Sequence, residues 1–291
     1  MAGNDEIREF LVSRRAKITP EQAGLPAYGT NRRVSGLRRE EAAMLAGISV
    51  EYYTRLERGN TRGVSEDVLE GIARALQFDE AERAHLFDLV RVTTPTSRAR
   101  RRPSQERVRP SVQQILDSMS TTPAYVRNGR LDVLAANPLG AALYSNLFAD
   151  PVRPANSARF LFLNPRAAEF FTDWDRIAHD AVAILRAEAG RDPYDRRLTE
   201  LVGELSTRSE EFRVRWAAHN VKFHRSGIKR LHHTVVGDLT LNFEAFDLPA
   251  DPGQRMLVYT AEPGSPSHDA LALLASWTST SDATIIKEQH A

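Results

Sequence analysis

Over the first hundred residues, apolar positions recur at spacings of three and four between short polar interruptions, the period of amphipathic helices. Ile7, Phe10, Leu11 and Arg14 fall on neighbouring turns of a helix predicted over residues 5–17. Arg38 to Ala46 makes a short helix that Gly47 stops, and Ser49 opens another running to Arg58, closed by Gly59. Ser65 opens a fourth helix with Val68, Leu69, Ile72, Ala73 and Leu76 as its stripe, and Asp79 opens a fifth that buries Leu86 and Leu89. Five short helices predict an all-α domain over residues 1–97.

The period then fails. Residues 98–110 hold six arginines and two prolines, with Val108 the one sizeable apolar residue, so no face can be buried and a linker is expected. Ser111 to Met119 is again helical, and Pro123–Val126 and Arg130–Ala135 read as strands around Asn128-Gly129, a dipeptide that favours a tight hairpin turn. A helical stretch from about Pro138 to Ala218 is interrupted near 150–156, at Asn164-Pro165 and at 190–193. Strands follow at Val221–Arg225, Lys229–Val236, Leu239–Phe246 and Met256–Ala261, then a helix at Ser267–Trp277. Strands at both ends with helices between predict an α+β domain with an antiparallel sheet over 111–278, and a polar tail over 279–291.

Composition narrows the function classes. Among 291 residues there is no cysteine, which excludes disulfide scaffolds, thiolate metal centres and cysteine nucleophiles. No apolar run approaches the ~18 residues of a membrane span and the N-terminus lacks a signal-peptide core, so a soluble cytoplasmic chain with no membrane partner is expected. A net charge of +1 argues superficially against nucleic acid, but its distribution does not: residues 1–109 carry 20 basic against 16 acidic side chains, and the remainder 19 against 22. Residues 31–62 alone hold seven arginines and four glutamates.

The richest segment is Leu37 to Gly59. Two helices joined through a glycine, the second capped by Ser49, have the spacing of a helix-turn-helix whose second helix enters the major groove. Ala42, Ala43 and Ala46 are small enough for close packing, and Ile48, Tyr53 and Leu56 lie inward, leaving Val50, Glu51, Tyr52, Thr54 and Arg55 outward. This segment resembles the Cro/C1-type, xenobiotic-response-element-like family. The resemblance implies base reading by Val50, Glu51 and Arg55, with Tyr52 beside them. It also implies backbone contact from Arg39 and from Arg58 and Arg62, and a structural Glu57 paired with a helix-one arginine such as Arg14. The chemistry agrees: Arg55 can pair bidentately with guanine, Glu51 can accept from cytosine, Val50 can meet a thymine methyl, and arginines including Arg38 can neutralise phosphates. About twenty residues separate the first two helices where the family needs few, and this insertion carries Arg32 and Arg33 as further backbone contacts.

Over nearly the whole chain, segments such as Gly36–Glu41, Tyr52–Glu57, Arg215–Val221, Val235–Leu239 and Tyr259–Ser265 resemble MmyB-like transcription regulators. That resemblance implies a PAS-like ligand-binding C-terminal domain and a ligand-responsive repressor or activator. Phe160, Phe162, Phe170, Phe171, Trp174, Trp216 and Tyr259 supply aromatic surface for an apolar pocket, with His219 or His232 as a polar contact to a ligand headgroup. His219, His224, His232 and His233 are close in sequence but lack metal-ligand spacing, since adjacent strand residues face opposite ways; no metal and no cofactor is expected. No nucleophile elbow, phosphate loop or dinucleotide fingerprint occurs, so no enzyme is expected. The expectation is a nucleoid-associated homodimer on a double-stranded operator, sensing a small apolar ligand; the alternative is an antitoxin-like regulator whose C-terminal domain grips a protein.

Overall fold

The computed structural model describes residues 2–25, 34–93, 107–218 and 226–288. Arg32, Arg33, His219, His224, the strand expected at Val221–Arg225 and most of the arginine-rich linker lie outside the described residues. The chain forms two compact units, one of residues 1–100, 182–203 and 213–223, the other of residues 101–181, 204–212 and 224–291.

In the first unit the five helices are α1 (Ala2–Lys17), α2 (Arg39–Ala46), α3 (Val50–Glu57), α4 (Glu66–Ala75) and α5 (Glu80–Thr93). Their ends follow the capping chemistry. Ser49 Oγ accepts from the Tyr52 amide at 3.1 Å, Ser65 Oγ accepts from Val68, and Asp79 and Glu82 accept from each other's amides. Gly47 sits at φ +70, the left-handed conformation that ends α2 and turns the chain into α3. Ile7, Phe10, Leu11, Leu37, Tyr53, Leu56, Ile72 and Leu86 form the core. At Gly71 an added Cβ would lie 2.7 Å from the Ala46 carbonyl oxygen, so glycine lets α4 cross α2 at backbone contact.

Helix α11 (Trp174–Arg191) contributes its second half to this same unit. Ala187 packs on the core just described, Gly190 faces the His85 ring, and Arg186 stacks over Trp216 at 3.9 Å while lying 3.6 Å from Glu6.

The second unit contains a five-stranded antiparallel sheet, as the strand periodicity predicts, built from β1 (Ala124–Arg127), β2 (Val133–Ala136), β3 (Ser226–His233), β4 (Gly237–Asp247) and β5 (Arg255–Thr260) in the order β2-β1-β5-β4-β3. Helices α6 (Pro110–Ser118), α7 (Pro138–Leu143), α8 (Ser145–Phe148), α9 (Ser157–Leu163) and α10 (Arg166–Phe170) precede α11, and α12 (Arg196–Arg208) and α13 (Glu210–Ala217), each divided between the two units, follow it. Alternation splits the sheet between two layers. Val126, Ala124 and Met256 face Val112 and Leu116 of α6, while Tyr125, Leu257, Tyr259, Phe243, Leu241, Lys229 and Leu231 share the opposite face through their register.

Two local expectations change. Asn128-Gly129 does not close a two-residue turn: Asn128 Oδ1 accepts from the amides of Arg130 and Asp132, and its Nδ2 donates to the Asp132 carboxylate at 2.9 Å, holding a wider loop. Arg130 and Asn156 complete this buried polar knot around Asp132. The last helix, α14 (Pro266–Glu288), also runs through the segment expected as a polar tail, because no glycine or proline after Pro266 stops it.

Candidate functional site

The outward face of α3 is largely open to solvent. Glu51, Arg55 and Arg58 are exposed, Tyr52 and Thr54 are half-buried, and Val50 is 37% exposed, whereas Tyr53 and Leu56 of the same helix are fully buried. A groove of about 610 Å³ runs along this face, lined by Val50, Glu51, Thr54, Arg55, Arg58 and Asn60. Arg55 stacks over the Tyr52 ring at 4.6 Å. Among the described residues neither Arg55, Arg58 nor Arg62 has a carboxylate within ion-pair distance, so their positive charge is uncompensated at the surface. Arg38 is exposed, and its backbone amide donates to Glu41 at 2.6 Å.

The ion pair that aims this helix differs from expectation. Glu57 is paired with Arg15 rather than Arg14: Arg15 Nε and Nη2 donate to its two oxygens at 2.9 and 3.1 Å, and Arg39 Nε donates to it at 2.9 Å. One residue along α1 rotates a side chain about 100°. Arg14 is thereby turned away, stacked over Phe10 and 3.2 Å from Glu82 of α5. Arg15 also donates to the Leu37 carbonyl at 2.7 Å, so one guanidinium ties α1, the approach to α2 and the end of α3 together. Arg39, read from sequence as a backbone contact, has one nitrogen committed to Glu57 and remains half-exposed.

In the second unit the aromatic residues separate into groups. Phe160, Phe170 and Phe171 pack edge to face with centroids 4.8 to 6.0 Å apart, and Phe170 continues onto Tyr144 at 5.6 Å. Tyr144 in turn meets Tyr125 and Tyr259 of the sheet. The three hydroxyls form a chain in which Tyr144 donates to Tyr259 at 3.0 Å and Tyr259 to Tyr125 at 3.3 Å. Burial pushes all three phenols above their usual range, so they remain protonated donors. Lys229 Nζ reaches Tyr259 Oη at 3.3 Å and lies 5.2 Å from the Phe243 ring centroid.

The other expected ligand residues stand elsewhere. Phe162 packs with Trp174 and Phe212 as a separate cluster, with Trp174 Nε1 bonded to the Leu161 carbonyl. Trp216 belongs to the first unit, where it stacks against Arg186. His232 faces away from the aromatic face, more than half exposed and 2.6 Å from Asp238, while its neighbour His233 is buried and bonded to the Ala142 carbonyl. Adjacent strand residues alternate, so the inward position falls to His233.

Two family models match the chain. A model described as the MmyB-like transcription regulator ligand binding domain matches residues 108–274, more than half of the chain. The chain belongs to the MmyB-like transcription regulators. A helix-turn-helix domain model matches residues 14–86 of the regulator, spanning the α3 surface and the Glu57 ion pairs. No curated protein matches the chain. The regulator therefore joins a helix-turn-helix DNA-binding domain to a ligand-binding domain. Among the described residues no helix is long and apolar enough to cross a membrane.

The aromatic group that the fold assembles around Tyr259 also includes Tyr125, Tyr144, Phe243 and Lys229, which the sequence did not single out. The signal was present for three of them: strand alternation puts Tyr125, Phe243 and Lys229 on the face of Tyr259 once the register is known.

Proposed function

We propose that the regulator binds a pseudo-palindromic operator as a homodimer through the groove face of α3 and releases or tightens that grip when its C-terminal domain takes up a small, largely apolar ligand. The observation that carries the DNA-reading part is the groove lined by Val50, Glu51, Thr54, Arg55, Arg58 and Asn60 beside uncompensated arginines. In this reading Val50, Glu51, Thr54 and Arg55 meet base edges, Tyr52 braces Arg55, Ser49 holds the start of the helix, and Arg38, Arg39, Arg58 and Arg62 meet phosphates. One such unit spans too few base pairs to find a unique site, and two-fold pairing on half-sites about one helical turn apart supplies the remainder.

Phe160, Phe170, Phe171 and Tyr259, with Tyr125, Tyr144 and Phe243, form the ligand-contacting set. Ligand acts by population shift, with an effect no larger than its differential affinity for the two states of the dimer. The test is fluorescence anisotropy on operator fragments selected from random DNA by the full-length protein. Affinity falling steeply with salt and with Arg55→Ala is expected; binding insensitive to both overturns the reading.

A further inference from the structure

We propose that Lys229 captures an apolar aldehyde as a reversible imine on the inner face of the sheet, a reading that rests on small-molecule binding by the C-terminal domain. The choice of residue is the first observation. The chain carries 35 arginines and four lysines, at positions 17, 222, 229 and 287. Where only positive charge is required, this sequence uses arginine almost everywhere, and arginine cannot surrender its proton in a protein. Lysine can, and the neutral amine is a nucleophile that a guanidinium never becomes.

The setting is the second observation. Lys229 is half-buried, with Nζ 3.3 Å from the Tyr259 hydroxyl and 5.2 and 5.6 Å from the ring centroids of Phe243 and Tyr259. Among the described residues no carboxylate lies within ion-pair distance of Nζ. Asp180, an opposing charge that acts on Nζ, is 3.8 Å from Arg176. Burial, aided by Arg127 and Arg176 and opposed by Asp180, lowers the ammonium to about 8. Roughly a tenth of the amine is then neutral near pH 7, without any general base. Tyr125, Tyr144 and Tyr259 face the group as neutral phenols, and His233 shares its strand face.

The chemistry balances without an oxidant or reductant. The Nζ lone pair attacks the carbonyl carbon, the C–N bond forms and the carbonyl π electrons pass to oxygen, which takes up a proton. The resulting carbinolamine loses water as C=N forms, so both hydrogens of the neutral amine leave with the former carbonyl oxygen. The Tyr259 hydroxyl, bonded to Nζ and to the other two phenols, relays protons between nitrogen and oxygen. Hydrolysis returns both partners, as a sensor requires.

The experiment uses the full-length protein with octanal as probe, followed by borohydride reduction, intact mass measurement and peptide mapping. One octyl adduct per chain at Lys229 is expected, lost in Lys229→Arg and in Lys229→Met, and forming several-fold faster at pH 9 than at pH 7. Adducts spread evenly over Lys17, Lys222, Lys287 and the N-terminus overturn the proposal, as does their absence. If both variants unfold by circular dichroism, the adduct map of the unaltered protein decides alone. Melting with 1-octanol, which has the chain but no carbonyl, separates the two failures. A raised midpoint without an octanal adduct leaves ligand binding standing and removes the imine; neither a raised midpoint nor an adduct removes both.

Discussion

Glu57→Ala should cost the first unit a large part of its stability. The carboxylate is 2% exposed, and it holds Arg15, itself 13% exposed, and Arg39, 50% exposed. Removing one partner of a buried pair typically costs about 3–5 kcal/mol, because the remaining charge stays desolvated without its acceptor. The half-exposed Arg39 adds no more than about 1 kcal/mol. A loss of about 3–5 kcal/mol is a large part of the roughly 5–15 kcal/mol that holds a domain together. Hydrogen exchange in the full-length protein, read on peptides from α1, α2 and α3, measures it directly. At 1.4 kcal/mol per factor of ten, exchange should accelerate by roughly two to three and a half powers of ten. Glu57→Gln keeps an acceptor oxygen and should lose less, and Arg15→Ala should accelerate exchange in α3 as Glu57→Ala does, whereas Arg14→Ala, which strips Glu82 of its partner, should act first on α5. Acceleration below tenfold in Glu57→Ala, or equal acceleration of the α3 peptides by Arg14→Ala and Arg15→Ala, would refute the assignment.

Other outcomes follow from the same geometry. Arg55→Ala should weaken operator binding by about 1–3 kcal/mol and relax selectivity at one base pair, whereas Arg58→Ala should weaken all sequences alike and lower the salt slope by about one, both read by anisotropy titrations. Gly140→Ala places a methyl 2.4 Å from the Ala124 carbonyl oxygen and 2.8 Å from Asn137 Oδ1, the atom that caps α7 and accepts from the Ala124 amide. A cost of about 1–3 kcal/mol in a near-UV melt is expected, and an unchanged midpoint would show that the two backbones are not in contact. For Lys229 the folded value of about 8 lies below the usual 10.5, so the unfolded chain binds more protons between these two pH values. Stability should therefore rise with pH across that window, by up to about 3 kcal/mol, and Lys229→Met should flatten the rise; parallel curves for the two proteins would contradict it.

How much of this was visible in the sequence depends on how local the cause is. The helix-turn-helix was legible almost residue by residue, because Ser49, Gly47, Ser65 and Asp79 act through bonds spanning three or four residues. The partner of Glu57 was legible as an arginine of α1 but not as Arg15, since adjacent residues differ only in the direction the helix points them. The sheet was predicted in kind, yet its order places β1 beside β5, a pairing of residues about 130 positions apart that no local pattern encodes. The aromatic set was read as one pool because composition counts rings, whereas the fold sorts them by face. Phe170 and Tyr259 fall with Tyr144, Phe162 falls with Phe212, and Trp216 joins Arg186 in the other unit.

If the ligand enters at the proposed aromatic set, the hydroxyl chain constrains its chemistry. Tyr125, Tyr144 and Tyr259 are all buried, and they satisfy one another through two bonds, with Lys229 as a further donor. A wholly apolar ligand that wedges between these rings breaks at least one bond and strands a buried polar group, at about 1–3 kcal/mol. Apolar burial at about 25 cal/mol per Å² needs on the order of 40–120 Å² merely to recover that loss. Driving a two-state equilibrium from 1:99 to 99:1 requires about 5.5 kcal/mol of preference for one state, so such a recovery would absorb much of the signal. A ligand with an apolar body and one oxygen acceptor keeps the phenol and ammonium donors occupied and leaves the whole apolar gain for switching. At the proposed site the aromatic surface would receive the body of a ligand, and the three phenols and Lys229 favour one that also has a polar end.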